Sequence, residues 1–232
     1  MIDIHMHLVP GVDDGAEDFA MAASMLYAAR EQGIDGIFAT PHSSAFDDNT
    51  SLVQARWETL QQRATMPLWL GCEIYCQAED MQRIVKALET GQYPSMNQTR
   101  YVLTEFSMWV RPERTLPCME ALTAAGWTPI VAHMERYAHL RENMELVDAL
   151  RNMGCKIQCN AYSFFDEGEE AIKVWARRLV AQRKVDFLGT DAHRTYHRPP
   201  SAAKGLAWLY DREDKGYIDT IAHGNATQFL GI

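Results

Sequence analysis

Apolar and polar positions follow one another along this chain in two alternating rhythms. Short β-rich runs give way to longer stretches in which apolar residues return every three or four positions, from the first residues almost to the last. The first run covers residues 2–7. After a turn carrying Asp13, Asp14 and Gly15, residues 19–32 place Phe19, Ala22, Ala23, Leu26 and Ala29 on one helical face, and Gly33 follows as a stop. Further runs predict strands over 36–40, 68–74, 101–106, 129–133, 156–160 and 186–190, about seven with the first. Between them the spacing predicts helices over 52–64, 78–90, 116–125, 144–153 and 169–183, then a last helix over 202–214 and a short amphipathic tail from Asn225. A repeated strand–helix unit predicts parallel strands with right-handed crossovers, arranged as an open sheet or a closed barrel. No Gly/Ser/Pro-rich linker or charge run divides the chain, so residues 1–232 read as one domain.

Composition narrows this picture. A chain of 232 residues with 47% hydrophobic content can bury one substantial core, a size common among single-domain α/β barrels. A formal charge of −9 argues against a nucleic-acid surface, because a net acidic field repels phosphates; any phosphate bound must be held by local groups. No N-terminal segment reads as a signal peptide, and no apolar stretch approaches the roughly 18 residues of a membrane span, so the cytoplasm is the expected compartment. The five cysteines, Cys72, Cys76, Cys118, Cys155 and Cys159, are too sparse for a disulfide scaffold. Cys72/Cys76 and Cys155/Cys159 have a spacing compatible with zinc, but both pairs straddle predicted strand ends and read as small buried hydrophobes.

Active sites of parallel α/β folds gather at the C-terminal ends of strands. Here those ends carry His5 and His7, His42, Glu73, Glu105, His133, Asn160, and finally Asp191 and His193. Residues i and i+2 of a strand share a face, so His5 and His7 can grip one site, as can Asp191 and His193 if the last strand runs that far. Neutral imidazole with carboxylate suits zinc, manganese and iron, and Glu73 could bridge two ions. With Asp14 from the first loop the candidate metal ligands are His5, His7, Asp14, His42, Glu73, Glu105, His133, Asp191 and His193, enough for two or three ions. A lone strand histidine is more often a hydrogen-bonded core residue than a ligand; five of eight histidines at strand ends make coincidence a poor account. Of the others, His139 and His223 read as surface residues, and His197 is left open beside Arg198. Arg136 and Arg198 should overhang the same rim, where a guanidinium fork suits the non-bridging oxygens of a phosphate.

These residues resemble the PHP (polymerase and histidinol phosphatase) superfamily, and within it the bacterial CpsB/YwqE-type protein-tyrosine phosphatases of capsule and exopolysaccharide clusters. The resemblance is carried in order by residues 1–7 (MIDIHMH), the turn 12–15 (VDDG), 71–75 (GCEIY), 105–107 (EFS), 132–137 (AHMERY), and Asp191-Ala192-His193 followed by Arg198-Pro199-Pro200. It implies a distorted TIM-like (β/α)7 barrel, a trinuclear metal site often favouring manganese, and hydrolysis of phosphotyrosine. It implies the same nine residues as metal ligands and Arg136 and Arg198 as phosphate-binding catalytic residues. It implies as partner an autophosphorylating bacterial tyrosine kinase of polysaccharide export, and a homo-oligomer as one possible state. The chain departs from the family pattern after His42, where 43–49 reads SSAFDDN in place of a more basic stretch; that loop would border substrate and alter the docking of an acidic phosphopeptide.

The expected chemistry is in-line attack by a hydroxide bridging two ions, since bound metals bring the pKa of water toward roughly 7. A tyrosine leaving group, with a pKa of about 10, needs little protonation; His42, His197 or a metal-bound water could serve as general acid. Cysteine-dependent phosphatases need Cys-x5-Arg, and the residues six beyond the five cysteines are Ala78, Gln82, Ala124, Ala161 and Phe165. Two rival readings are a phosphatase for a small phosphomonoester such as histidinol phosphate and a non-catalytic metal-binding regulatory module. The second is disfavoured by the completeness of the ligand set.

Overall fold

The β-rich runs pair as parallel strands, and the amphipathic stretches fold back over them as helices. The computed structural model describes residues 1–165 and 169–232. Its strands are β1 (Ile2–Met6), β2 (Gly36–Ala39), β3 (Leu68–Leu70), β4 (Glu73–Tyr75), β5 (Tyr101–Glu105), β6 (Thr128–Val131), β7 (Lys156–Asn160) and β8 (Phe187–Gly189). Its α-helices are α1 (Phe19–Glu31), α2 (Ser43–Arg63), α3 (Met81–Glu89), α4 (Pro112–Ala124), α5 (Met144–Asn152), α6 (Glu170–Ala181), α7 (Ala203–Arg212), α8 (Lys215–Asp219) and α9 (Asn225–Leu230).

Strands β1-β2-β3 form one parallel run and β4-β5-β6-β7-β8 another. Both seams between the runs are closed. The stretch expected as one strand over 68–74 bends at Gly71 and Cys72, so that β3 pairs with β2 while β4 pairs with β5. Gly71 lets Met96 pack closely at that bend, since a Cβ there would lie 2.6 Å from the Met96 sulfur and displace that side chain. On the other side Met6 bridges Ala192, with His7 N donating to Ala192 O at 2.9 Å and Asp191 N to His5 O at 2.7 Å. The result is a distorted TIM-like barrel with seven staves, one of them broken in two.

Three helical regions differ from expectation; α4 begins at Pro112, ahead of the expected start at 116, because proline suits the first turn of a helix. Residues 43–49 are helical and extend α2 back to Ser43; Asn49 interrupts the helix at φ −162° and its side chain accepts from Leu52 N at 3.0 Å, restarting it where the periodicity placed its beginning. The early half depends on contacts distant in sequence: Asp47 accepts the Tyr93 hydroxyl at 2.7 Å, and Phe46 lies edge-on to the Tyr93 ring. The tail expected from Asn225 begins ten residues sooner, because α8, a π-helical turn over Thr220–Gly224 and α9 run on from one another. Among the described residues no helix is long and apolar enough to cross a membrane.

The apolar core has two parts. The larger lies between the strands and the surrounding helices, where burial of the helix faces stabilises the fold by about 25 cal/mol per Å². The smaller joins Ile2, Ile4, Phe38, Leu103, Ile130 and Phe187 with Met96 and Leu230, and it fills the barrel below its C-terminal rim. All five cysteines are free and buried. Burial pushes Cys118 up to about 11, so it carries almost no thiolate at neutral pH.

Candidate metal centre

The nine expected ligands lie at the C-terminal rim, eight of them in three overlapping groups and His133 beside those groups against Glu73. Within each group the ligand atoms lie within 4.8 Å of one another: His5, His7, Glu73 and Asp191; His7, Asp14, His42 and His193; and His42, Glu73 and Glu105. His5 Nε2 and His7 Nε2 lie 3.3 Å apart, and each is 3.1 Å from an oxygen of Glu73 and 3.6 Å from Asp191 Oδ1. His42 Nδ1 stands 3.2 Å from Glu73 and 3.0 Å from Glu105, while its Nε2 is 3.4 Å from Asp14. His133 Nε2 is 2.9 Å from Glu73, and His193 Nε2 is 3.3 Å from Asp14.

This donor set fits divalent ions. Ligand atoms around an ion bound at about 2.1 Å are spaced roughly 3–3.5 Å apart, which is the spacing found. The His5 and His7 nitrogens and the oxygens of Glu73 and Asp191 direct lone pairs and negative charge at one point, where a shared cation would satisfy all of them. The electrostatics agree. Burial opposes charge on both partners, yet His5 holds Glu73 and Asp191 well below the usual carboxylate range. In return Glu73 and Asp191 outweigh burial and raise His5, while Asp13 raises His7. The cluster attracts positive charge, and binding a cation would release the protons it holds.

Local backbone geometry, rather than strand alternation alone, builds the rim. In β1 the register moves from Asp3↔Ile37 to Met6↔Ala39, one extra residue on β1. Such a bulge re-aims side chains, and here Ile2 and Ile4 join the inner apolar cluster while His5 and His7 both face the ligands. β8 ends at Gly189, so Asp191 and His193 do not share a strand face. Asp191 instead takes a left-handed φ of 54°, and its carbonyl accepts from His193 Nδ1 at 2.9 Å. His133 is also left-handed, with φ 33°. Such conformations cost about 1–3 kcal/mol each and persist where surrounding contacts enforce them.

Several supporting residues escaped the sequence reading. Asp13, beside the expected ligand Asp14, binds His7 Nδ1 at 2.8 Å and also accepts from His42 N and Gly15 N. It fixes the ring whose other nitrogen faces the cluster, the usual partner of a metal-ligating histidine. Gln158 Oε1 accepts from His133 N at 2.8 Å and pairs with His5 Nδ1 at 3.3 Å. Asp3 accepts from Thr190 N and Oγ1 and from His5 N, and burial moves it up to about 6. Fully buried Glu135 accepts from Asn160 N and Ser163 Oγ. Asp3 and Gln158 showed in the sequence only as polar residues amid apolar neighbours, while Asp13 and Glu135 stood inside motifs whose other members drew the reading.

Both arginines reach the centre through one carboxylate oxygen: Asp191 Oδ2 takes Arg136 Nη1 at 2.6 Å and also Arg198 Nη2. Arg198 Nη1 donates to His193 Nε2 at 3.0 Å. Each arginine remains about a quarter exposed, so its other donors can face a ligand. His139, His197 and His223 are exposed and stand outside the ligand groups.

The family described as capsular polysaccharide synthesis, CpsB/CapC, matches residues 1–231. The tyrosine-protein phosphatase CpsB of Streptococcus agalactiae serotype III is 31% identical over 223 residues, spanning 88% of this chain and 87% of that protein. The tyrosine-protein phosphatase YwqE of Bacillus subtilis is 33% identical over 205 residues, spanning 85% of this chain and 79% of the relative. A solved structure from work on YwqE of Bacillus subtilis and CpsB of Streptococcus pneumoniae, described as metal-dependent tyrosine phosphatases, superposes with a TM-score of 0.82 at 29% identity; it covers 100% of this chain and 94% of that one. A lactonase from Listeria monocytogenes shares the fold alone, with a TM-score of 0.66 at 10% identity over 99% of this chain and 94% of its own.

Proposed function

This chain belongs to the CpsB/CapC family of capsular polysaccharide synthesis, and on that premise we propose that it is a metal-dependent protein-tyrosine phosphatase. The observation that carries the reading is the convergence of eight candidate ligands in three overlapping groups, with His133 against Glu73, beside two arginines that share Asp191. His5, His7, Asp14, His42, Glu73, Glu105, His133, Asp191 and His193 would hold the ions. Three overlapping groups support a site for up to three, with manganese the first candidate and iron or zinc compatible with the same donors. Divalent ions there supply Lewis acidity, which activates water at neutral pH and offsets phosphoryl charge.

The protein's own residues supply position. Asp13 and Gln158 orient His7 and His5, so the ligands are aimed before substrate arrives. Arg136 and Arg198 bind non-bridging phosphate oxygens in a fixed fork and stabilise the charge that develops on them. Asp14, the most exposed ligand, and partly exposed His42 mark the side from which the centre is open. The substrate is a tyrosine-phosphorylated protein, for which a bacterial tyrosine kinase of capsule or exopolysaccharide synthesis is the proposed identity. The proposed compartment is the cytoplasm, and the whole of residues 1–232 acts as one domain. Comparing a phosphotyrosine peptide with histidinol phosphate on the metal-loaded protein tests this. A clear preference for the peptide is expected, and preference for the small molecule would overturn it.

A further inference from the structure

Outside the ligand cluster, one side chain is placed to decide what kind of phosphate ester enters. Tyr162 follows β7 and lines both a small crevice that contains Arg136 and a cavity of about 800 Å³ that contains Arg198. It therefore lies beside both of the arginines that flank the centre. The cavity falls in the range of roughly 300–1,000 Å³ typical of sites that enclose small ligands. Its walls include Tyr162, Phe165 and Pro199, and Ala202 and Ala203 present only small side chains to it.

The ring of Tyr162 is held firmly. Asn160 Nδ2 donates to its hydroxyl at 3.1 Å, Gln158 Nε2 donates to Asn160 Oδ1 at 2.9 Å, and Gln158 Oε1 contacts His5 and His133 N. A polar chain along β7 thus connects the ring to two of the proposed metal ligands. From the other side α7 presses on the same turn: a Cβ on Gly205 would lie 1.8 Å from Ala161 O. α7 is itself tied to the first helix unit, since Ala202 N and Ala203 N donate to Gln32 Oε1 at 3.2 and 3.1 Å. An aromatic wall fixed in this way can stack on a planar group and gives no comparable contact to a short alkyl chain.

We propose that this cavity is the aryl subsite, in which Tyr162 stacks on the ring of the substrate phosphotyrosine while its phosphate meets Arg136 and Arg198. The inference rests on the tyrosine phosphatase reading and makes Tyr162 a specificity-determining residue within it. The metal-loaded protein is titrated with a peptide bearing phosphonomethyl-phenylalanine, a non-hydrolysable phosphotyrosine mimic, and separately with inorganic phosphate. Loss of one stacking partner should weaken the phosphonopeptide roughly tenfold relative to phosphate in Tyr162→Ala. Tyr162→Phe, which keeps the ring, should restore binding. Ala203→Trp, which fills the cavity from α7 and leaves the Tyr162 side chain in place, should again weaken the peptide selectively. On hydrolysis of a phosphotyrosine peptide, Tyr162→Ala should act chiefly through KM. Equal weakening of both ligands, or no change in Tyr162→Ala and Ala203→Trp, overturns the subsite while leaving the phosphatase reading intact. A wild-type preference for histidinol phosphate over the phosphotyrosine peptide would overturn that reading and the subsite with it.

Discussion

Ile2, Phe38, Ile130 and Phe187 fill the lower part of the barrel, while His5, His7, Glu73 and Asp191 occupy the rim above them, and both sets are almost wholly excluded from water. Equal burial has opposite consequences. Below, removing apolar surface from water stabilises the fold without directional demands. Above, burying an ionised group costs several kcal/mol unless charge and hydrogen bonds compensate. The rim meets that demand with mutual pairing of histidine and carboxylate, with outer partners such as Asp13, Asp3 and Gln158, and with left-handed backbone at His133 and Asp191. The lower barrel adds apolar burial to the fold, and the rim gathers charge.

Substitutions can break that division. The largest effect is expected from replacing both His5 and His7 by alanine: activity on a phosphotyrosine peptide should fall by roughly 10³-fold or more, with bound metal lost in elemental analysis and the circular dichroism of the fold retained. Phe187→Ala should do the reverse, lowering unfolding free energy by about 3–5 kcal/mol in denaturant titration while activity per folded molecule persists. Arg136→Ala should reduce activity by about 10²-fold with metal content unchanged, and loss of metal would move Arg136 into the ligand set's support. Asp13→Ala should weaken metal affinity or activity by about 10–100-fold, since His7 loses the partner that orients it. The smallest effect is expected from Cys118→Ala, which should leave turnover unchanged because the thiol is buried and protonated; a large loss would reopen a role for cysteine.

Much of the fold was legible because the βα alternation is strong. The strand over 101–105, the helix from Phe19 and the order of units all follow from local pattern and stop signals such as Gly33, whose φ is 77°. What was illegible depends on distant contacts. The helical start of α2 rests on Asp47 meeting Tyr93, separated by 46 residues, so no local window could reveal it. The break at Gly71 is where the strand leaves β2 to pair with β5, partners distant in sequence. Asp13 and Asp14 are neighbours of the same type, and only the path of the first loop assigns one to His7 and the other to His42 and His193.

The sequence by itself determined the inventory: which strands and helices alternate, that their ends carry histidine, aspartate and glutamate, and that no cysteine loop of the Cys-x5-Arg type exists. Periodicity and residue chemistry are local properties, and they survive in a linear reading. Tertiary structure alone decided how those side chains meet. The bulge in β1, the left-handed turns at His133 and Asp191, the shared oxygen of Asp191 and the placing of Tyr162 beside both arginines each involve residues remote in the chain. Distances of a few ångström between such residues are fixed by closure of the barrel, which no single segment encodes.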